Sequence, residues 1–223
     1  MQILVVDTET TGLPINNKAS IMNLENWPYI IQLSYIIYDI KNNILIKCQD
    51  YIIKLDKSVI ISKKSEDMHK ISREKSEKYG ISIIDVLNQL QFDIKNVDII
   101  VGHNLEFDKK MILVESKRNN IDFSFSTYSG KTSQLYCTMR NSINLCKLPL
   151  LRTQFNNYSP SYKYPKLEEL IFFLFKDISV NFHNSLIDVL YTLRAYCKIV
   201  NDIDIFLIND EIQNLVTNKL IKN

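Results

Sequence analysis

The feature that most restricts how this chain can fold is its opening run, Gln2-Ile3-Leu4-Val5-Val6, followed at once by Asp7-Thr8-Glu9-Thr10-Thr11-Gly12. An unbroken, β-branched apolar stretch suits a central strand covered on both faces, which demands helices above and below a sheet. Residues two apart in a strand share a face, so Asp7 and Glu9 project together from its carboxyl end. Side by side and partly desolvated, two acids resist ionisation unless a cation lies between them. The other reading is a strand dissolving into a polar turn whose acids are merely solvated.

The rest of the chain supplies the layers. Residues Ile30 to Ile40 and Ile44 to Leu55 are Ile-, Leu- and Tyr-rich runs joined at Lys41-Asn42-Asn43. With the first strand they predict an antiparallel meander, Ile15 to Pro28 being a loop after that strand. Helices are expected over Ile81 to Phe92, Phe107 to Ser116, Lys166 to Phe175 and Leu186 to Val200, with strands at Val97 to Val101 and Ser133 to Thr138. A terminal helix or helical pair follows from Ile203 to Leu220. The order predicts an α/β fold: a mixed sheet of about five strands, the first three antiparallel, flanked by helices on both sides. With no repeat or linker, residues 1–200 read as one domain and 201–223 as a helical extension of it.

Charge and cysteine usage narrow the function classes. The chain has 223 residues and a net charge of +2, from 27 Lys and Arg against 25 Asp and Glu. That excludes attachment to nucleic acid by bulk charge; an anionic partner must be met by a local patch. The densely charged stretch from Lys63 to Lys78 reads either as a solvated helix face or as cations along a phosphate path. Cys48, Cys137, Cys146 and Cys197 form no CxxC pair, which argues against a zinc knuckle and for a reduced, intracellular setting. The amino terminus lacks the basic region of a signal peptide, and no apolar run is long enough to span a bilayer. The expectation is a soluble protein of cytoplasm or nucleus.

Two further acid-bearing motifs stand where strands give way to helices. Gly102-His103-Asn104-Leu105-Glu106-Phe107-Asp108 sits at a strand–helix junction, where open α/β sheets place ligands. Taken alone it also reads as Asn104 capping the helix and Asp108 meeting its dipole, with His103 a structural hydrogen-bonding residue. In His183-Asn184-Ser185-Leu186-Ile187-Asp188, Asn184 or Ser185 is a natural cap, so His183 lies in the preceding loop and Asp188 in the first turns. Two of the chain's 3 histidines fall inside these motifs. Asp7, Glu9, Asp108 and Asp188 converging on one sheet end would make an all-oxygen site, suited to Mg²⁺ or Mn²⁺ rather than zinc.

Asp7-Thr8-Glu9, Asp108 and His183 to Asp188 resemble, in order and spacing, the motifs of the histidine branch of the DEDD 3′–5′ exonucleases. That group includes the polymerase III epsilon subunit, RNase T, oligoribonuclease and the TREX enzymes. Asn184 stands where the tyrosine branch carries Tyr. Smaller echoes are Gln32, Met68-His69-Lys70-Ile71-Ser72 and Pro165-Lys166-Leu167-Glu168-Glu169-Leu170. The resemblance implies a ribonuclease H-like fold and a metal-dependent enzyme that releases nucleoside 5′-monophosphates from 3′ ends, single-stranded DNA favoured. RNA trimming and an idle nucleic-acid-binding scaffold are the alternatives. It implies two metal ions held by Asp7, Glu9, Asp108 and Asp188, with His183 as general base. Thr10, Leu13, His69, Asn104 and Phe107 match positions near the substrate; for Leu13 and Phe107 plain packing is an equal account. Lys70 replaces the usual Gly, and Val189 a usual small residue. The stretch from Asn141 to Tyr164 has no family counterpart; with the preceding Arg140, its Lys147, Arg152, Lys163, Tyr158, Tyr162 and Tyr164 mix cations with aromatics, which suits a single strand or an ordinary surface loop. A polymerase partner docking on Ile203 to Asn223 is a further expectation, and no membrane is implied.

Overall fold

The computed structural model describes residues 1–150, 162–176 and 182–222. One five-stranded sheet carries the fold: β1 (Gln2–Thr10), β2 (Ile30–Asp39), β3 (Ile44–Ile52), β4 (Ile99–Gly102) and β5 (Gln134–Cys137). Its spatial order is β3-β2-β1-β4-β5. The first three strands are antiparallel, and β1–β4 and β4–β5 are parallel, as the sequence predicts.

Alternation along β1 sorts the two faces. Ile3 and Val5, with Ile36 and Tyr38 of β2, pack against α7 (Leu167–Phe175) and α8 (Ser185–Asn201), where Leu170, Ile171, Ile187 and Leu190 are fully buried. Leu4 and Val6, with Leu33 and Tyr35, pack against α3 (Ile83–Ile94) and α4 (Leu105–Arg118) through Leu87, Leu90, Met111 and Ile112. Both faces of the strand are therefore dry, which is why the opening run has no polar alternation.

The charged stretch forms α1 (Lys63–His69) and α2 (Arg73–Tyr79), each opened by a serine cap, Ser62 and Ser72. Short helices α5 (Thr138–Asn141) and α6 (Ile143–Cys146) follow β5, and α9 (Ile205–Ile208) and α10 (Asp210–Lys222) end the chain. Ile212 and Val216 of α10 join the core over α8. Of the stretch from Asn141 to Tyr164, residues 151–161 lie outside the described part. No helix among the described residues is long and apolar enough to cross a membrane.

The first strand outlasts its apolar run and reaches Thr10, as the placement of Asp7 and Glu9 on its carboxyl end predicts, because β2 goes on pairing with it: Asp7 opposes Ser34 and Glu9 opposes Gln32 before a bulge at Glu9/Thr10. Backbone pairing overrides the loss of apolar pattern, and the acids sit on a rigid strand rather than in a turn.

Candidate active site

The site occupies the gap left where β4 ends and β1 continues. Pairing between them covers Ile3 to Val5, so beyond it β1 lacks a strand on that side. Gly102 closes β4; a Cβ there would stand 3.2 Å from the Val6 carbonyl oxygen and 2.9 Å from Leu105 Cδ1, so any larger residue would have to displace Leu105 and ease β1 away. Asn104 then takes a left-handed conformation (φ 67°) and α4 begins. Its side chain makes no capping bond, contrary to the capping reading.

Asp108, one turn into α4 and 2% exposed, takes over the missing strand's role. Its Oδ1 accepts from the Thr8 backbone N–H at 3.0 Å and from Thr8 Oγ1 at 2.8 Å. From the opposite face, Asp7 and Glu9 point towards the amino-terminal end of α8. Asn184 caps that helix through the Ile187 amide, and Ser185 Oγ donates to the Asp7 carbonyl oxygen at 2.7 Å. The Ser185 N–H donates to Gln32 Oε1 at 3.2 Å, while Gln32 Nε2 donates to Asp50 Oδ1 at 2.6 Å. Lys219 of α10 neutralises the other oxygen of Asp50 at 2.6 Å. A polar chain thus fixes the strand carrying the acids to the helix carrying Asp188.

His183 precedes α8 in a left-handed conformation (φ 76°), and its backbone N–H donates to Asp188 Oδ2 at 3.3 Å. Asp188 Oδ1 is buried and has no hydrogen-bond partner. One ligand atom each from Glu9, His183 and Asp188 lies within 4.8 Å of the others.

The electrostatics follow from this crowding. Burial raises Asp7 to about 7, with Ser185 opposing, and burial plus the Asp7 charge raises Glu9 to about 8. Asp108 is pushed well above the carboxylate range by burial and then by Asp7. Asp188 moves the same way through burial, then the charges of Asp7, Glu9 and Asp108. Four crowded acids that resist ionisation together, Asp108 buried and Asp7, Glu9 and Asp188 half-buried, one with an orphaned oxygen, fit a divalent cation: it would supply the missing partner and let all four ionise.

Asp7, Glu9, Asp108, His183 and Asp188 line a single cavity of about 520 Å³, with Asn104 and Phe107. The remaining expected substrate residues are not among its lining residues. Thr10 Oγ1 is turned onto the Gly12 carbonyl, Leu13 is 77% exposed, and His69 is buried with Nδ1 accepting from the Ile71 amide. Burial lowers His69 to about 4, against an opposing contribution from the Thr10 backbone and aided by His183. His103 is structural, as expected: its ring nitrogens lie 3.0 Å from Thr138 Oγ1 and 3.1 Å from the Pro165 carbonyl oxygen.

Sequence reasoning missed Thr8 and Ser185 as supports, and Met68, Met139, Lys166 and Phe182 as walls, while Tyr164 stood out only as one aromatic of the Asn141 to Tyr164 stretch. The supports leave no signal beyond an ordinary hydroxyl beside a motif acid, and the walls come from segments far apart in sequence.

The family model for exonucleases of the RNase T type matches residues 4–196. The chain belongs to this exonuclease family. No curated protein matches it in a sequence search. Among solved structures, this chain is similar in fold to Escherichia coli exonuclease I in its zinc-bound complex with single-stranded DNA, with a TM-score of 0.63 and 17% identity over 90% of this chain. It is also similar to that enzyme with a dA16 oligonucleotide (0.62, 17%, 90%) and with a dT13 oligonucleotide (0.65, 16%, 88%). This chain spans about two fifths of those chains, 41% in each case.

Proposed function

We propose that this exonuclease is a divalent-metal-dependent 3′–5′ enzyme that hydrolyses the terminal phosphodiester bond of a nucleic-acid strand and releases nucleoside 5′-monophosphates. The observation that carries the reading is the cluster of four acids, one buried and three half-buried, with His183 around one cavity at the carboxyl end of β1. A nucleic-acid scaffold gains nothing from buried negative charge facing phosphates, so the idle alternative is disfavoured. Single-stranded DNA is the favoured substrate class, supported by the single-stranded DNA in the complexes of exonuclease I. We read residues 201–223 as part of the same domain, since α10 lends it Ile212 and Val216.

Asp7, Glu9 and Asp188 would hold one Mg²⁺ or Mn²⁺, and Asp7 would be shared with a second. Asp108 would contribute through Oδ2, because Thr8 already occupies Oδ1 twice. The bound ions supply charge neutralisation at the scissile phosphate. His183, exposed at the cavity mouth, takes the proton from the attacking water as a neutral imidazole. Its backbone bond to Asp188 ties the position of this base to a ligand carboxylate.

The decisive experiment gives the full chain a 5′-labelled single strand with Mg²⁺ or Mn²⁺. A ladder shortening from the 3′ end and abolished by EDTA is expected, and Asp7→Asn should cut turnover by about 10²-fold or more. Absence of EDTA-sensitive cleavage on both DNA and RNA would overturn the reading.

A further inference from the structure

Tyr164, Pro165 and Lys166, just ahead of α7, form part of the wall of the cavity that holds the acids, and the segment 162–166 is held by its neighbours. Tyr162 bridges to Pro149, and the Lys163 N–H donates to the Leu148 carbonyl at 3.0 Å. Glu169 accepts from the Lys166 N–H at 2.8 Å and also pairs with the Lys163 ammonium. Pro165 is buried, and its carbonyl is held by His103 Nε2 at 3.1 Å. A carbonyl can only accept, so Nε2 carries a ring proton, and Nδ1 lies 3.0 Å from the Thr138 hydroxyl. His103 is thereby locked between the junction that positions Asp108 and this part of the wall.

On this pinned segment Tyr164 is 56% exposed although it lines the cavity. A large aromatic left half in water on a rigid backbone contributes little to the core. Phe107 of α4 and Phe182 line the same cavity. Lys166 is the one lysine or arginine among its described lining residues, and its own partner, Glu168, is an exposed one at 3.1 Å. Exposed ion pairs of this kind exchange readily for a phosphate. An aromatic face and a cation, adjacent on one rigid rim, are what a strand with unstacked bases requires: π-stacking on the base and charge on the backbone. A base held within a duplex offers no free face to such a ring.

We propose that Tyr164 is a substrate-specificity residue that stacks on an unpaired base of the strand entering the cavity, with Lys166 beside it on the phosphate backbone and His103 as the positioning residue for both. This rests on the exonuclease reading above.

Steady-state kinetics of the full chain with Mg²⁺ on a single-stranded oligonucleotide and on the same sequence as a blunt duplex tests it. Tyr164→Ala should raise KM for the single strand by about tenfold or more, kcat moving less, and Tyr164→Phe, which keeps the ring, should stay within about twofold of wild type. The preference for single strand over duplex narrows with the alanine variant. His103→Ala should raise KM in the same direction and add little on top of Tyr164→Ala, since both act through one wall. Thermal melts confirm that the variants are folded; the two Tyr164 variants alone decide the matter if His103→Ala does not fold. An unchanged KM in a folded Tyr164→Ala protein overturns the proposal and leaves the exonuclease reading intact. Wild-type protein without metal-dependent shortening of any strand overturns the exonuclease reading and this proposal with it.

Discussion

Asp188 carries the conflict between stability and chemistry on a single side chain. One oxygen accepts from the His183 amide, the other is buried without a partner, and three further acids raise the cost of its charge. Such an arrangement persists only where it has a use. Replacing Asp188 by Asn removes the charge and keeps the shape. In EDTA the variant should melt about 2–8 °C above wild type, the shift expected of roughly 1–2 kcal/mol in a domain of this size, while activity falls by about 10²-fold or more. Calorimetric melts paired with the ladder assay check both halves. Equal melting temperatures would show that the acids do not repel one another in the metal-free protein.

At the scale of elements, the positions where the chain departs from its family's pattern acquire physical reasons. Lys70, where the family often has Gly, ends α1 in the left-handed region at φ 59°, with its N–H on the Glu66 carbonyl at 2.8 Å. That geometry favours glycine, and a lysine there carries backbone strain. Lys70→Gly should stabilise the protein by about 0.5–1 kcal/mol, read as a rise of roughly 1–4 °C in Tm. A fall in Tm would mean that the lysine side chain contributes more than the strain costs. Val189 needs no such account, being fully buried in the core of α8. Most elements were legible from pattern alone: the meander, α3, α4, α7 and α8 all follow their apolar spacing. The continuation of β1 through Asp7 and Glu9 was legible only as one of two readings, because Asp7-Thr8-Glu9-Thr10 also has the composition of a turn, and pairing with β2 decides for the strand. Asn104 likewise has the identity of a cap, but its backbone conformation turns the side chain away from that task.

Across the whole molecule, the acids come from three elements and meet across both faces of β1. In the metal-free protein Asp7 stands near 7 and Glu9 near 8, against ordinary values of 3.8 and 4.5. Below the ordinary values both folded and unfolded chains hold these protons, and the groups cost nothing. As pH rises through the window up to about 8, the unfolded chain releases its protons first, so the folded state loses stability. Tm in EDTA should therefore fall between pH 5 and pH 8 by about 3 °C or more, and saturating Mg²⁺ or Mn²⁺ should restore most at the alkaline end. A flat profile in EDTA would place the acids in contact with solvent rather than with one another.

What the sequence by itself determined was the alternation of strand and helix, the two-faced burial of β1 and the identity of the acids and His183, because each is written in local spacing or in a short motif. The tertiary structure alone decided which neighbours hold those acids in place and what forms the rest of the cavity wall. Thr8 with Asp108 are 100 residues apart, Ser185 with Asp7 178, and His103 with Pro165 62. Contacts at such separations are set by how the layers close on the sheet, and no periodicity along the chain records them.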